Sequence, residues 1–418
     1  MHRHHREMHG LPHYSIQLKH RIERSLELVR AWIRGHKYQA YEPADGNLSW
    51  LFPLTRGRVL PMRMLQQIVL RAPVNIRPLL GISPHESAIG RGYLAWGYLL
   101  LHSLTGDDKA RHEAIDCLDW LMANRFAGAT EFSWGDPYEY ATRAGRRPYG
   151  EPILVWTAFI GEAFLEAYDL IVDQSHLRVA ESIGRWILAL PRQFTDTGNC
   201  LSYAAHRQSF IHNANVVGAA YLAHLAQVTS SHEMLAVAKS AMAYTCSRQK
   251  PDGSWHYAED RGYHWIDNFH TAYNLSALAN YRNTTQDHCF DHYLSRGRQF
   301  YKSHFFESDG RPKYFHNKTY PTDIQCAAQA IDTLATLAED DPDCLMLATR
   351  VAEWTIDNMQ GEDGHFYFRD LGWTKVTTPL LHWGQATMVK ALAVLLQKLA
   401  LSQGCVVPAS QESRVAAR

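Results

Sequence analysis

Four residues combine types and positions suited to proton chemistry: Asp267, His270, Asp323 and His382. Asp267 and His270 are three apart, which puts them on neighbouring positions of one helical face. Asp323 and His382 occupy comparable places in later segments, where a long loop runs into an apolar stretch. A carboxyl group acts as acid or base there, and an imidazole acts as proton shuttle or donor. Around them stand Trp134, Tyr138, Asn213, Asn215, Trp255 and Tyr257. Aromatic rings interleaved with Asp, Asn, His and Arg suit a carbohydrate. Sugar C–H faces pack on Trp or Tyr, and sugar hydroxyls need fixed donors and acceptors. A packing role competes at each position. Trp255, just after Asp252 and Gly253, would plug its repeat; Asn213, Asn215 and Asp267 would cap helices; His270 would be a buried histidine with a local hydrogen bond.

These residues sit in a repeat. Short junctions such as Gly106-Asp107, Asp173-Gln174 and Ser230-Ser231 alternate with long aromatic loops at about 126–151, 193–211, 249–267, 304–321 and 360–380. Each long loop leads into a helix that is apolar or small nearly all round, which expects enclosure, and a more amphipathic helix follows. Glu151, His212, Asn268, Thr322 and His382 are separated by 61, 56, 54 and 60 residues. Hairpins are expected at about 86–125, 153–192, 212–248, 268–303 and 322–359. The helix at 382–401 lacks a partner, and the N-terminal helix at 14–35 is free to supply one. That makes an all-α fold, an (α/α)6 toroid of six helical hairpins, with an open solenoid as the alternative. All long loops then lie at one end, where function tends to sit. The expected organisation is a single toroid domain at 14–402 between disordered tails at 1–13 and 403–418.

Composition excludes some classes. Lys plus Arg and Asp plus Glu both total 42, so no net charge draws the chain to nucleic acid. Arg143, Arg146 and Arg147 are a local anion-site candidate or a solvated loop. No apolar run is long enough for a transmembrane segment, and the His-rich N-terminus reads as no secretory signal. Seven scattered cysteines without a CxxC motif suit reduced thiols and a cytoplasmic location. No cofactor is expected, and metal occupancy is left open.

The segments PVNIRPLLGI, WGDPYEY, HNANVVGAAYLA, DGSWHYAED and HWIDNFHTAYNLSAL resemble a family of bacterial exopolysaccharide-biosynthesis cluster proteins, over about Tyr41 to Leu396. The resemblance implies a six-hairpin toroid with a role in making or tailoring a polysaccharide. It implies a glycan or lipid-linked oligosaccharide as partner, and association with membrane-bound polysaccharide machinery. More distantly the architecture is similar to unsaturated glucuronyl hydrolases and uronyl epimerases, which implies hydrolase, lyase or epimerase chemistry. A non-catalytic glycan-binding scaffold is the alternative. A second likeness is to isoprenoid enzymes: QKPDGSW resembles the Gln-Trp motif of terpene cyclases, and DNFHTAYNLSAL resembles the zinc-histidine segment of prenyltransferase β subunits. That likeness implies zinc on His270 with Asp196 and Cys200. Three residues separate Asp196 from Cys200 where that family has one, and neither DxDD nor DDxxD occurs.

Overall fold

The computed structural model describes residues 11–402. Thirteen helices follow in chain order: α1 Leu11–Gly35, α2 Val59–Arg71, α3 Ala88–Thr105, α4 Asp108–Ala123, α5 Leu154–Ile171, α6 Gln174–Leu188, α7 His212–Thr229, α8 His232–Ser247, α9 Asn268–Thr285, α10 Asp291–His304, α11 Ile324–Thr336, α12 Pro342–Met359 and α13 Thr387–Ser402. Helix α1 begins at Leu11, before the expected 14; the remaining tail expectations, at 1–10 and 403–418, fall outside the described residues.

Short junctions are capped as their residue types dictate. Gly106 takes the left-handed conformation (φ +72°) at the end of α3, and the Asp107 carboxylate accepts the Lys109 N–H to start α4. Asp173 and Ser231 cap α6 and α8 in the same manner. The two helices of each pair therefore turn tightly back and bury their shared face.

Helices α3, α5, α7, α9, α11 and α13 each pack on the next, and α13 returns to α3. The ring is closed, and the open solenoid is excluded. Helices α4, α6, α8, α10 and α12 coat it, and α1 fills the sixth outer place against α13 and α12. The fold is an (α/α)6 toroid. Arg30 of α1 is buried and reaches Glu113 of α4 at 2.8 Å, which ties the last outer helix to the first.

One device recurs around the ring. Gly253, Gly310 and Gly364, each following an Asp, have φ of +91°, +93° and +97°. A Cβ on them would lie 2.5, 2.6 and 2.5 Å from the carbonyl oxygens of Arg296, Arg350 and Leu28. Each loop thus presses its backbone on the next outer helix, and the last of them presses on α1. Only glycine satisfies both the dihedral and the approach. Two tryptophans of the long loops are plugs as well. Trp255 Nε1 donates to the Thr245 carbonyl at 2.9 Å, and Trp134 Nε1 donates to the Leu121 carbonyl at 3.0 Å. Both are buried, and neither is among the residues that line the cavity at the long-loop end.

Gly364→Ala should destabilise the protein by about 3 kcal/mol or more, combining left-handed strain with a clash against backbone. Gly262, which has open space around it, serves as control. Urea unfolding of both alanine variants checks this; equal midpoints would mean that the Gly364 contact does not close the ring.

Candidate active site

At the long-loop end the inner ring surrounds a cavity of about 250 Å³. Glu42 enters from the segment before α2, and Asp136, Tyr138 and Tyr140 enter from the loop between α4 and α5. Trp156 and Phe159 come from α5, and Phe269, His270 and Tyr273 from α9. Tyr203, Asn213, Tyr257, His382 and Trp383 complete the wall. The lining is largely aromatic, and no Lys or Arg belongs to it.

His270 is oriented by Asp267. The Asp267 carboxylate caps α9 by accepting the His270 N–H at 3.0 Å, and it meets His270 Nδ1 at 2.7 Å. Trp265 Nε1 donates to the same carboxylate at 2.8 Å. Tyr257 stacks on Trp265 with centroids 4.6 Å apart and lies 4.5 Å from the His270 ring. With Nδ1 engaged, Nε2 is the nitrogen left for a ligand. Asp267 is buried behind His270 and does not line this cavity.

His382 is placed differently. The chain enters α13 through a wide π-type turn, Leu381–Ala386, broken at Trp383 and at Gly384 (φ +141°). This kink sets the His382 ring against Tyr93 at 5.8 Å and edge-on to Trp156 at 5.6 Å. The His382 N–H donates to Glu42 Oε1 at 3.0 Å, and its Nδ1 lies 3.9 Å from Glu42 Oε2. That spacing would allow an ion pair, but burial opposes charge on both groups. It drives the His382 pKa down to about 3 and the Glu42 carboxyl well above its usual range. Burial thus favours the uncharged form of both groups.

Asp136 is the third unusual group. Burial, partly offset by the Tyr138 hydroxyl and reinforced by the charge of Asp45, raises its pKa to about 8. Asp45 itself is held by Arg77 at 2.8 Å and accepts the Glu42 N–H at 3.0 Å. The one cation among these carboxylates is thus spent on Asp45, which leaves Asp136 and Glu42 uncompensated. Asn213 adds a buried amide oxygen with no protein partner among the described residues.

Several expected site residues lie elsewhere. Asp323 caps α11 and accepts Arg369 at 2.6 and 3.0 Å; it is fully buried and outside the cavity lining. It lies close enough to Asp267 for the two charges to interact, but its carboxylate is engaged by Arg369 and does not face the cavity that His270 lines. Asn215 binds the Leu201 N–H, the Ala241 carbonyl and Thr245, so it braces a loop rather than meeting a ligand. Neither Asn213 nor Asn215 caps α7, whose N-cap is Ile211. The Cys200 sulfur lies against the carbonyls of Leu201 and Ser209, and no three His, Cys, Asp or Glu side chains among the described residues gather as metal ligands. Arg146 and Arg147 pair with Glu139 and Glu151, and Arg143 stacks over Trp265. Glu42 gave no signal in the sequence, since it precedes the first hairpin and has no equivalent in the repeat. Asp136 is visible among the loop polars, but its raised pKa is a property of burial.

No family model matches the chain, and no curated protein matches it by sequence. Solved structures do. A cellobiose 2-epimerase from Bacillus thermoamylovorans is 11% identical, with a TM-score of 0.61 over 76% of this chain and 90% of that one. An unsaturated glucuronyl hydrolase specific for heparin is 14% identical, with a TM-score of 0.61 over 93% of this chain and 98% of that one. A GH76 α-mannanase of Bacteroides thetaiotaomicron is 14% identical, with a TM-score of 0.54 over 75% and 86% of the two chains. At these identities the likeness establishes the fold, the (α/α)6 toroid that this chain shares with them.

Proposed function

We propose that this chain is a carbohydrate-active enzyme that moves a proton at a sugar carbon next to a carbonyl, as an epimerase or isomerase of a neutral sugar unit. One observation carries the reading: two imidazoles line one cavity, His270 aligned by Asp267 and His382 kept neutral by burial. Such a reaction needs a base for the C–H proton, an acid to return it, and a donor for the carbonyl oxygen as it gains negative charge. His382 and His270 supply base and acid. Asp136, protonated at neutral pH by its pKa of about 8, supplies the donor. Asp267 is a positioning residue. Tyr138, Tyr257 and Asn213 hold the ring and its hydroxyls. A lining free of Lys and Arg gives a substrate carboxylate no partner, which favours a neutral sugar. At about 250 Å³ the cavity exceeds the roughly 150 Å³ of a cavity that holds benzene, so it has room for one sugar ring.

The names of the similar structures, a cellobiose 2-epimerase and a GH76 α-mannanase among them, support sugar chemistry on this scaffold. The sequence resemblance supports a place in exopolysaccharide biosynthesis, acting on a precursor or lipid-linked unit. Hydrolysis is the second reading, favoured by Asp136 as a ready acid. It also calls for an ionised carboxylate in the cavity, and burial favours the protonated form of Glu42.

Two outcomes are expected. Incubated in deuterium oxide with neutral reducing mono- and disaccharides, the protein should place one deuterium beside the carbonyl, read by NMR. His270→Ala and His382→Ala should each lower that rate by about 10²–10⁴-fold while keeping the native circular dichroism. Sugar binding without exchange would point to a scaffold, and release of new reducing ends would point to a hydrolase. The second outcome concerns Asp136. Its folded pKa is raised, so the folded state holds the proton more tightly and stability falls as pH rises from about 4 to about 8. Asp136→Asn should remove up to about 1.4 kcal/mol of that loss per pH unit, measured by urea unfolding across this window. A pH dependence unchanged in the variant would place the raised pKa elsewhere.

A further inference from the structure

Residues 46–85 differ in charge from the rest of the chain. The whole sequence balances 42 basic against 42 acidic residues, yet this stretch holds five arginines, no Lys, no Asp and no Glu. Arg77 is committed to Asp45. Arg56, Arg58, Arg63 and Arg71 form no ion pair among the described residues, and Arg56, Arg58 and Arg71 are exposed.

The same stretch carries most of the exposed apolar surface. Of the fifteen large apolar side chains exposed among the described residues, eight lie between Leu48 and Leu79. Leu60, Met64 and Ile68 recur every fourth residue and form a ridge along α2, 67, 57 and 59% exposed. Met62, Leu65, Gln66 and Val69 are buried on the other side. Helix α2 is therefore amphipathic in two senses at once: it packs inward through one apolar face and presents a second apolar ridge outward, flanked by arginines. Leu54, which precedes α2 in the chain, and Val74 and Leu79, which follow it, are exposed as well, at 75, 67 and 80%. A folded surface rarely leaves so many large apolar side chains in one place without a use.

We propose that this face seats the protein on an anionic membrane surface, with α2 lying in the headgroup layer. Apolar side chains between unpaired arginines match an interface that is greasy within and negative at its rim. An acidic protein partner would use the arginines but leaves the ridge of Leu60, Met64 and Ile68 unexplained. A second copy of the chain would bring its own arginines against them. No helix among the described residues is long and apolar enough to cross a membrane, so the contact would be peripheral. The placement has a consequence for access. Gln66 of α2 accepts the Ala141 N–H at 2.9 Å, and Ala141 belongs to the loop that sends Asp136 and Tyr140 into the cavity. Glu42, Pro43 and Ala44, just ahead of the ridge segment, line the cavity as well. The docking face and the cavity mouth are thus built from one packed unit.

The test is sedimentation of the full-length protein with vesicles of mixed phosphatidylglycerol and phosphatidylcholine, and with vesicles of phosphatidylcholine alone. The expected result is partition at least about tenfold stronger to the anionic vesicles, weakening as salt rises. Arg58→Gln, Arg63→Gln and Arg71→Gln should each weaken it roughly fivefold. Leu60→Gln, Met64→Gln and Ile68→Gln together should abolish it with the melting temperature unchanged, because these side chains are exposed. Three results would overturn the proposal: no partition to either vesicle, partition indifferent to the arginine changes, or a concentration-dependent dimer that the triple glutamine change dissociates.

Discussion

The approach of Gly364 to the backbone of α1 at Leu28 is the contact on which the ring depends. Six inner helices that are apolar nearly all round are stable only inside a continuous coat, and five of the six coating helices come from their own hairpins. The sixth must come from the far end of the sequence. Helix α1 fills that gap with the same left-handed glycine turn that seats α10 and α12, so closure is one more use of the repeat. Arg30 then ties α1 to Glu113 of α4, and the circle of outer helices is complete.

A closed ring creates the electrostatics of the cavity. Its mouth is walled by aromatic rings, and the guanidiniums nearest to it are spent elsewhere, Arg77 on Asp45 and Arg147 on Glu151. Carboxyls and imidazoles pressed into that space without counter-ions are driven toward their neutral forms. Burial favours the protonated forms of Glu42 and Asp136 and the unprotonated form of His382. His270 differs because the buried Asp267 carboxylate holds its Nδ1 and fixes the ring. The same desolvation thus gives one cavity a proton acceptor and proton donors at one pH, which an exposed set of the same residues would not provide.

Much of the fold was legible because it is written in local rules. Gly106 and Asp107 announce a tight helix junction, and the spacing of Glu151, His212, Asn268, Thr322 and His382 announces the repeat. The unpartnered last helix announces ring closure. Asp267 and His270 were legible as a pair for the same reason, being three apart on one helix. The rest depends on what approaches from far along the chain. Asp323 looks equivalent to Asp267 by position, yet Arg369, 46 residues on, claims it. Trp255 looks like a sugar platform, and a single bond from its indole to the Thr245 carbonyl makes it a plug. Glu42 reaches the site by pairing with the kinked start of α13, 340 residues away, and no local pattern marks that. Helix α2 escaped notice because its outward face is apolar where a surface helix is normally polar.

The proton chemistry of the cavity depends on His382 being a neutral imidazole. Nitrogen-15 NMR of the histidine rings, with His382→Gln to assign the signal, measures this directly. The His382 nitrogens should keep the shifts of an uncharged ring from about pH 7 down to about pH 4, consistent with a pKa of about 3. An imidazolium signal at about pH 6 would contradict the account, because a charged His382 could not begin the reaction as its base.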